Sequence, residues 1–96
     1  HYGKVIASEK FMKPVRVYLT MMCPYCQMAR RLLQEKGVPF EEIRVDQDRS
    51  RREEMMRVSG RHTVPQIFVG ETHVGGFDDL YALERAGKFD ALLDAG

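Results

Sequence analysis

The chain has 96 residues, 44% of them hydrophobic and 30% charged. That is room for one small domain and the composition of a folded chain rather than a disordered one. Lys+Arg 15 against Asp+Glu 14 gives a net charge of +1, which names no nucleic-acid partner, and no apolar run approaches the length of a membrane span.

Residues 1–11, "HYGKVIASEKF", read as a tag or flexible extension. Met12 is a plausible start, and Lys4, Ser8, Glu9 and Lys10 interrupt any signal-peptide core. The domain is expected over 12–96. Its expected compartment is the cytoplasm, where a permanent structural disulfide is disfavoured. "VRVYLT" (15–20) alternates apolar Val15, Val17 and Leu19 with Arg16, Tyr18 and Thr20, the pattern of a strand. From Pro24 to Lys36 the period becomes helical, with Ala29, Leu32 and Leu33 on one face. Pro24 suits a first helical position and Gly37 a C-terminal cap. A second strand is expected over 38–46, with Phe40 out of phase with Ile43 and Val45, and a second helix over 49–60.

"PQIFVG" (65–70) is a nearly continuous apolar run, so a strand covered on both faces. A hairpin at "GETH" leads into a strand over 73–76. Asp78 and Asp79 offer N-cap chemistry to a third helix carrying Leu80 and Leu83. Gly87 breaks that helix, and "FDALLDA" reads as a last short one. The order β-α-β-α-β-β-α implies an α/β fold, a four-stranded mixed sheet with helices on both faces.

The two cysteines, Cys23 and Cys26, lie in "MMCPYCQM" between the first strand and first helix. A zinc site needs four ligands, and His1, His62 and His73 show no ligand spacing with this pair. A structural staple would close a very small loop and constrain little of the unfolded chain. A redox couple fits the context, since C-x-x-C entering a helix of a βαβ pattern is the thioredoxin-like signal. Residues i and i+3 share a helix face, so Cys26 can reach a disulfide formed on Cys23. Cys23 sits where unpaired N–H groups and the positive helix end favour a thiolate.

"CPYC", "TVPQIFVG" and "GGFDDLYAL" occur in this order, and together they resemble the glutaredoxin family, in particular its short bacterial dithiol type. The resemblance covers residues 15 to about 94 and implies the thioredoxin-like fold. It implies a glutathione-dependent thiol–disulfide oxidoreductase that reduces protein–glutathione mixed disulfides and protein disulfides. Cys23 would be the nucleophile and Cys26 the resolving thiol. Glutathione would be a co-substrate, with no tightly bound cofactor and no metal. Tyr25, Arg52, Thr63, Val64, Pro65, Gly76, Phe77 and Asp78 would bind it, with Pro65 in cis. The expected partners are glutathione and glutathionylated or disulfide-containing proteins, met by a monomer, with no nucleic acid and no membrane.

The residues supply physical reasons beside the resemblance. A helix N-terminus after Gly76 suits the γ-glutamyl carboxylate of an anionic tripeptide, and Asp78 suits its ammonium. An unpaired edge at Val64 can add a peptide by strand-like hydrogen bonds. Two departures stand out. Relatives often carry Lys where this chain has Thr20, and Cys where it has Phe77. The alternative functions are a [2Fe–2S] cluster carrier, in which two chains share a cluster through Cys23 and bound glutathione, and a redoxin fed by thioredoxin reductase. Among the arginines of 49–61, only Arg52 is expected to meet ligand, and the others read as a solvated face. Met21, Met22, Met28, Met55 and Met56 read as packing residues.

Overall fold

The computed structural model describes residues 11–95. The expectation of an extension over 1–11 therefore lies outside the described residues except at Phe11, whose carbonyl accepts the Ala95 N–H at 2.6 Å. The elements are β1 Val15–Leu19, α1 Pro24–Glu35, β2 Glu41–Arg44, α2 Arg49–Ser59, β3 Gln66–Val69, β4 Thr72–Gly75, α3 Phe77–Arg85 and α4 Phe89–Leu93. No helix among the described residues is long and apolar enough to cross a membrane.

The strands form one sheet in the order β2-β1-β3-β4. β1 pairs parallel with β2, as a crossover through α1 requires. It pairs antiparallel with β3, with Tyr18 opposite Gln66, and β3 pairs antiparallel with β4. β1 alternates its side chains between two cores. Val15, Val17 and Leu19 join Ala29, Leu33, Ile67, Val69, Leu80, Phe89 and Leu93 under α1, α3 and α4. Tyr18 joins Ile43, Val45, Phe68 and Met55 under α2. Every residue of β3 is buried, as expected of a strand covered on both sides.

Three local expectations are corrected. The second strand spans only 41–44 of the expected 38–46. Val38 donates its N–H to Leu33, closing the end of α1 instead of entering the ladder. Phe40 packs with the first core while Ile43 and Val45 pack with the second, so the phase break in the sequence marks the strand's entry. The third helix is capped by Gly76, not by Asp78 or Asp79. The Asp79 carboxylate accepts the Gly76 N–H at 3.0 Å, so that aspartate acts from inside the first turn. Of the methionines read as packing residues, Met55 is fully buried and Met21 partly so, but Met22, Met28 and Met56 are exposed.

The β4–α3 junction depends on a glycine. Gly75 has φ +118°, where side chains other than glycine are strained, and a Cβ there would collide with the Asp79 carboxylate. Gly75→Ala should therefore destabilise the fold by about 1–3 kcal/mol. A urea titration with unchanged m-value and a lowered midpoint checks this.

Candidate active site

Pro24 opens α1, where its missing N–H costs nothing. That leaves Cys23 as the N-cap in extended geometry, with its Sγ accepting the Cys26 N–H at 3.4 Å. A thiol replaces the oxygen that usually caps a helix, so the sulfur sits at the positive end of the helix dipole. The loop before it is held from both sides. The Met21 carbonyl accepts from Gln27 Nε2 at 2.9 Å, and its N–H donates to Asp46 at 3.5 Å. A paired hydrogen bond from Arg44 holds the Asp46 carboxyl down at about 2.

The two sulfurs have different surroundings. Cys23 is half-buried, and Cys26, one turn into α1, is fully buried. Burial pushes the Cys26 thiol up to about 12, although hydrogen bonds involving Thr20 pull the other way. Thr20 therefore stands beside the second cysteine.

A second loop meets the first. The Cys23 thiol donates to the Val64 carbonyl at 3.7 Å, across 41 residues of sequence. The Val64–Pro65 peptide bond is cis, and Pro65 is buried. Beside this loop lies an open cleft of about 290 Å³, lined by Tyr25, Thr63, Val64, Pro65, Gly76, Phe77 and Asp78, all expected from the sequence. Phe77 lies between Tyr25, at 6.5 Å, and Tyr81, stacked at 5.7 Å. Asp78 is exposed, and no ion pair among the described residues engages it.

Arg52 does not line the cleft. Its guanidinium donates to the His62 carbonyl at 3.3 Å, which bonds α2 to the loop before Thr63. The lining cation is Arg61, which the sequence reading left on the solvated face and which lies 3.5 Å from Asp79. Gln66 and Asp79 complete the lining and were also not expected. A polar Gln inside the apolar run "PQIFVG" was the available signal for the first. Nothing in the sequence separates Arg61 from its neighbouring arginines.

A glutaredoxin family model matches residues 11–74. A glutaredoxin of Pseudomonas aeruginosa is 61% identical over 84 residues, spanning 88% of this chain and 100% of that protein. Glutaredoxin 3 of Escherichia coli K12 is 51% identical over 82 residues, 85% of this chain and 99% of the relative. Among solved structures, the solution structure of a Brucella melitensis glutaredoxin superposes with a TM-score of 0.77 at 52% identity, covering 88% of this chain and 92% of the other. A buckwheat glutaredoxin–glutathione complex matches with a TM-score of 0.77 at 25% identity, over 96% and 84% of the two chains.

The unequal burial of the thiols gives a direct expectation. At neutral pH a small alkylating reagent should label Cys23 alone in the folded protein, and denaturation should expose Cys26 to it. Peptide mass spectrometry of the labelled protein checks this, and prompt labelling of Cys26 in the native state would contradict its burial.

Proposed function

The chain belongs to the glutaredoxin family and is a thiol–disulfide oxidoreductase of that family; from that premise we propose that its co-substrate is glutathione and its main reaction the reduction of protein–glutathione mixed disulfides. The observation that carries this reading is that the Val64 main chain, whose carbonyl accepts the Cys23 thiol at 3.7 Å, and the N-terminus of α3 line one cleft, so that the sulfur stands at its edge. A peptide that bears carboxylates, an ammonium and a central cysteine needs these three features. The buckwheat protein, which covers nearly all of this chain, is described as a glutathione complex, in keeping with the reading.

In the proposed reaction the Cys23 thiolate attacks the glutathione sulfur of the mixed disulfide. A Cys23–glutathione disulfide forms, and the protein thiolate leaves and takes up a proton. The thiolate of a second glutathione then attacks that sulfur, releasing glutathione disulfide and restoring Cys23. For a protein disulfide, the Cys23 thiolate attacks one sulfur, the protein S–S bond breaks, and the other protein sulfur leaves as a thiolate and takes up a proton. Cys26 then attacks the Cys23 sulfur and passes its proton to the departing protein thiolate, and two glutathiones reduce the resulting Cys23–Cys26 disulfide. A thiol held at about 12 stays protonated until that step. It therefore does not compete with Cys23 for the first attack, because the thiolate is the nucleophile.

Val64 would pair with the cysteine main chain of glutathione, Thr63 and Pro65 would shape that edge, and Tyr25 would pack along the tripeptide. The backbone of Gly76 and Phe77 would take the γ-glutamyl carboxylate at the start of α3, and Asp78 its ammonium. Arg52, outside the lining of the cleft, would act at the glycine end, and Arg61, beside Asp79 at the start of α3, would offer a cation near the γ-glutamyl carboxylate. The protein would work as a monomer in a reducing cytoplasm.

Two mutant sets test the reading. Cys23→Ser should abolish turnover, and Cys26→Ser should keep most activity on a glutathione mixed disulfide. The latter should lose about tenfold or more on an intramolecular protein disulfide, where the resolving thiol is tethered. Coupled assays on the two substrate types check this, and equal losses in both variants on the mixed disulfide would defeat the assignment. Thr20→Lys supplies the cation that relatives often carry and should lower the KM for glutathione. An exposed ion pair is worth ~0–1 kcal/mol, so the gain should be severalfold at most. An unchanged KM would mean that a cation at this position is not felt by the ligand.

A further inference from the structure

Gln66 is the buried polar side chain of the described core, 1% exposed in an otherwise apolar strand. Its carboxamide is fully used. Nε2 donates to the Thr63 carbonyl at 3.0 Å and to Thr63 Oγ1 at 3.1 Å. With both N–H groups spent on Thr63, Oε1 is left facing His73 Nε2 at 2.7 Å, and the imidazole must be the donor. Burial, and then the charge of Arg61, lower the His73 imidazole below its ordinary value against the pull of Asp79. A neutral ring with its proton on Nε2 meets that need at neutral pH. The ring itself lies against Phe68 at 4.8 Å, and the Arg16 guanidinium lies 4.8 Å from the centre of the same Phe68 ring. A chain of contacts thus runs from the sheet through His73 and Gln66 to one peptide unit of the loop that faces Cys23.

That peptide unit matters because it is shared. The Thr63 carbonyl and the Val64 N–H belong to the same planar trans peptide, so they point in opposite directions. Drawing the carbonyl inward onto the Gln66 amide turns the N–H outward. No acceptor among the described residues takes that N–H, and Val64 lines the cleft. A buried donor pair thereby sets the direction of an exposed donor, at the edge where a peptide-like ligand would pair.

We propose that Gln66, held by His73, is a positioning residue that aims the Val64 N–H at the main chain of a bound γ-glutamyl tripeptide. The proposal rests on the glutathione reading above. Neither side chain touches the reacting sulfurs in it, so the effect belongs in ligand binding rather than in the chemical step.

The test uses S-methylglutathione, which binds without reacting, and the full chain. In ¹H–¹⁵N spectra of the wild type, the Val64 amide resonance should move on titration. Gln66→Met keeps the length of the side chain and removes its donors, and it should weaken binding by about fivefold, the scale of one lost hydrogen bond. In turnover of a small glutathione mixed disulfide the same variant should raise KM by a similar factor and leave kcat within about twofold. His73→Phe keeps the stack on Phe68 and loses the donor, and it should show the same split at smaller size. His73→Gln, whose amide can donate, should restore KM toward the wild-type value. If Gln66→Met does not fold, His73→Phe and His73→Gln decide. Wild-type affinity and KM in folded Gln66→Met or His73→Phe would overturn the positioning role. No movement of the Val64 amide in the wild type would instead overturn the glutathione reading, and this proposal with it.

Discussion

The contact between the Cys23 thiol and the Val64 carbonyl, 3.7 Å across 41 residues, is the constraint on which the site depends. It follows from strand direction. β1 and β3 are antiparallel with Tyr18 opposite Gln66, so the chain leaves β1 at the end of the sheet where it enters β3. β4 is antiparallel to β3 in turn, so its exit into α3 lies at that end too. The loop carrying Cys23, the loop carrying Val64 and the N-terminus of α3 therefore share one edge by topology. Binding groups on loops held by a rigid sheet are the usual arrangement for sites of this kind.

Within that frame the two cysteines differ through burial and through the helix start. Pro24 fixes where α1 begins, so one sulfur becomes the cap and the other lies a turn inside, covered by the core. The same i, i+3 spacing that lets them bond also leaves one half-buried at the rim of the core and places the other inside the cluster that holds Ala29, Leu33 and Leu80. Burial at Cys26 outweighs the hydrogen bonds that oppose it. The difference between the two thiols thus needs no group beyond the helix start and the core.

Charge at the cleft is arranged on a similar economy. Of the two aspartates that open α3, Asp79 is engaged with the Gly76 N–H and Arg61, while Asp78 faces outward without an ion pair among the described residues. A helix start that would otherwise hold only N–H donors carries one internal anion and one outward anion. That suits a ligand bearing both an ammonium and a carboxylate, since a purely anionic ligand would meet repulsion from Asp78.

The sequence by itself determined the element order, the mixed sheet, the place of the Cys23/Cys26 pair at a helix start and seven of the residues that line the cleft. Those features are local. Period-2 and period-3.6 patterns, Pro24 at a helix start and a C-x-x-C pair each act within a few residues, and three motifs in order carried the family. The limits of β2, the use of Gly76 rather than an aspartate as cap, and the entry of Arg61, Gln66 and Asp79 into the cleft were decided only by the tertiary structure. Arg61 differs from Arg52 only in where the end of α2 delivers it, and Gln66 only in being pulled into the core by Thr63 and His73. Each of these depends on which partner a polar group finds across the fold, and hydrogen bonds between residues far apart in the chain leave no period in the sequence for a local pattern to reveal.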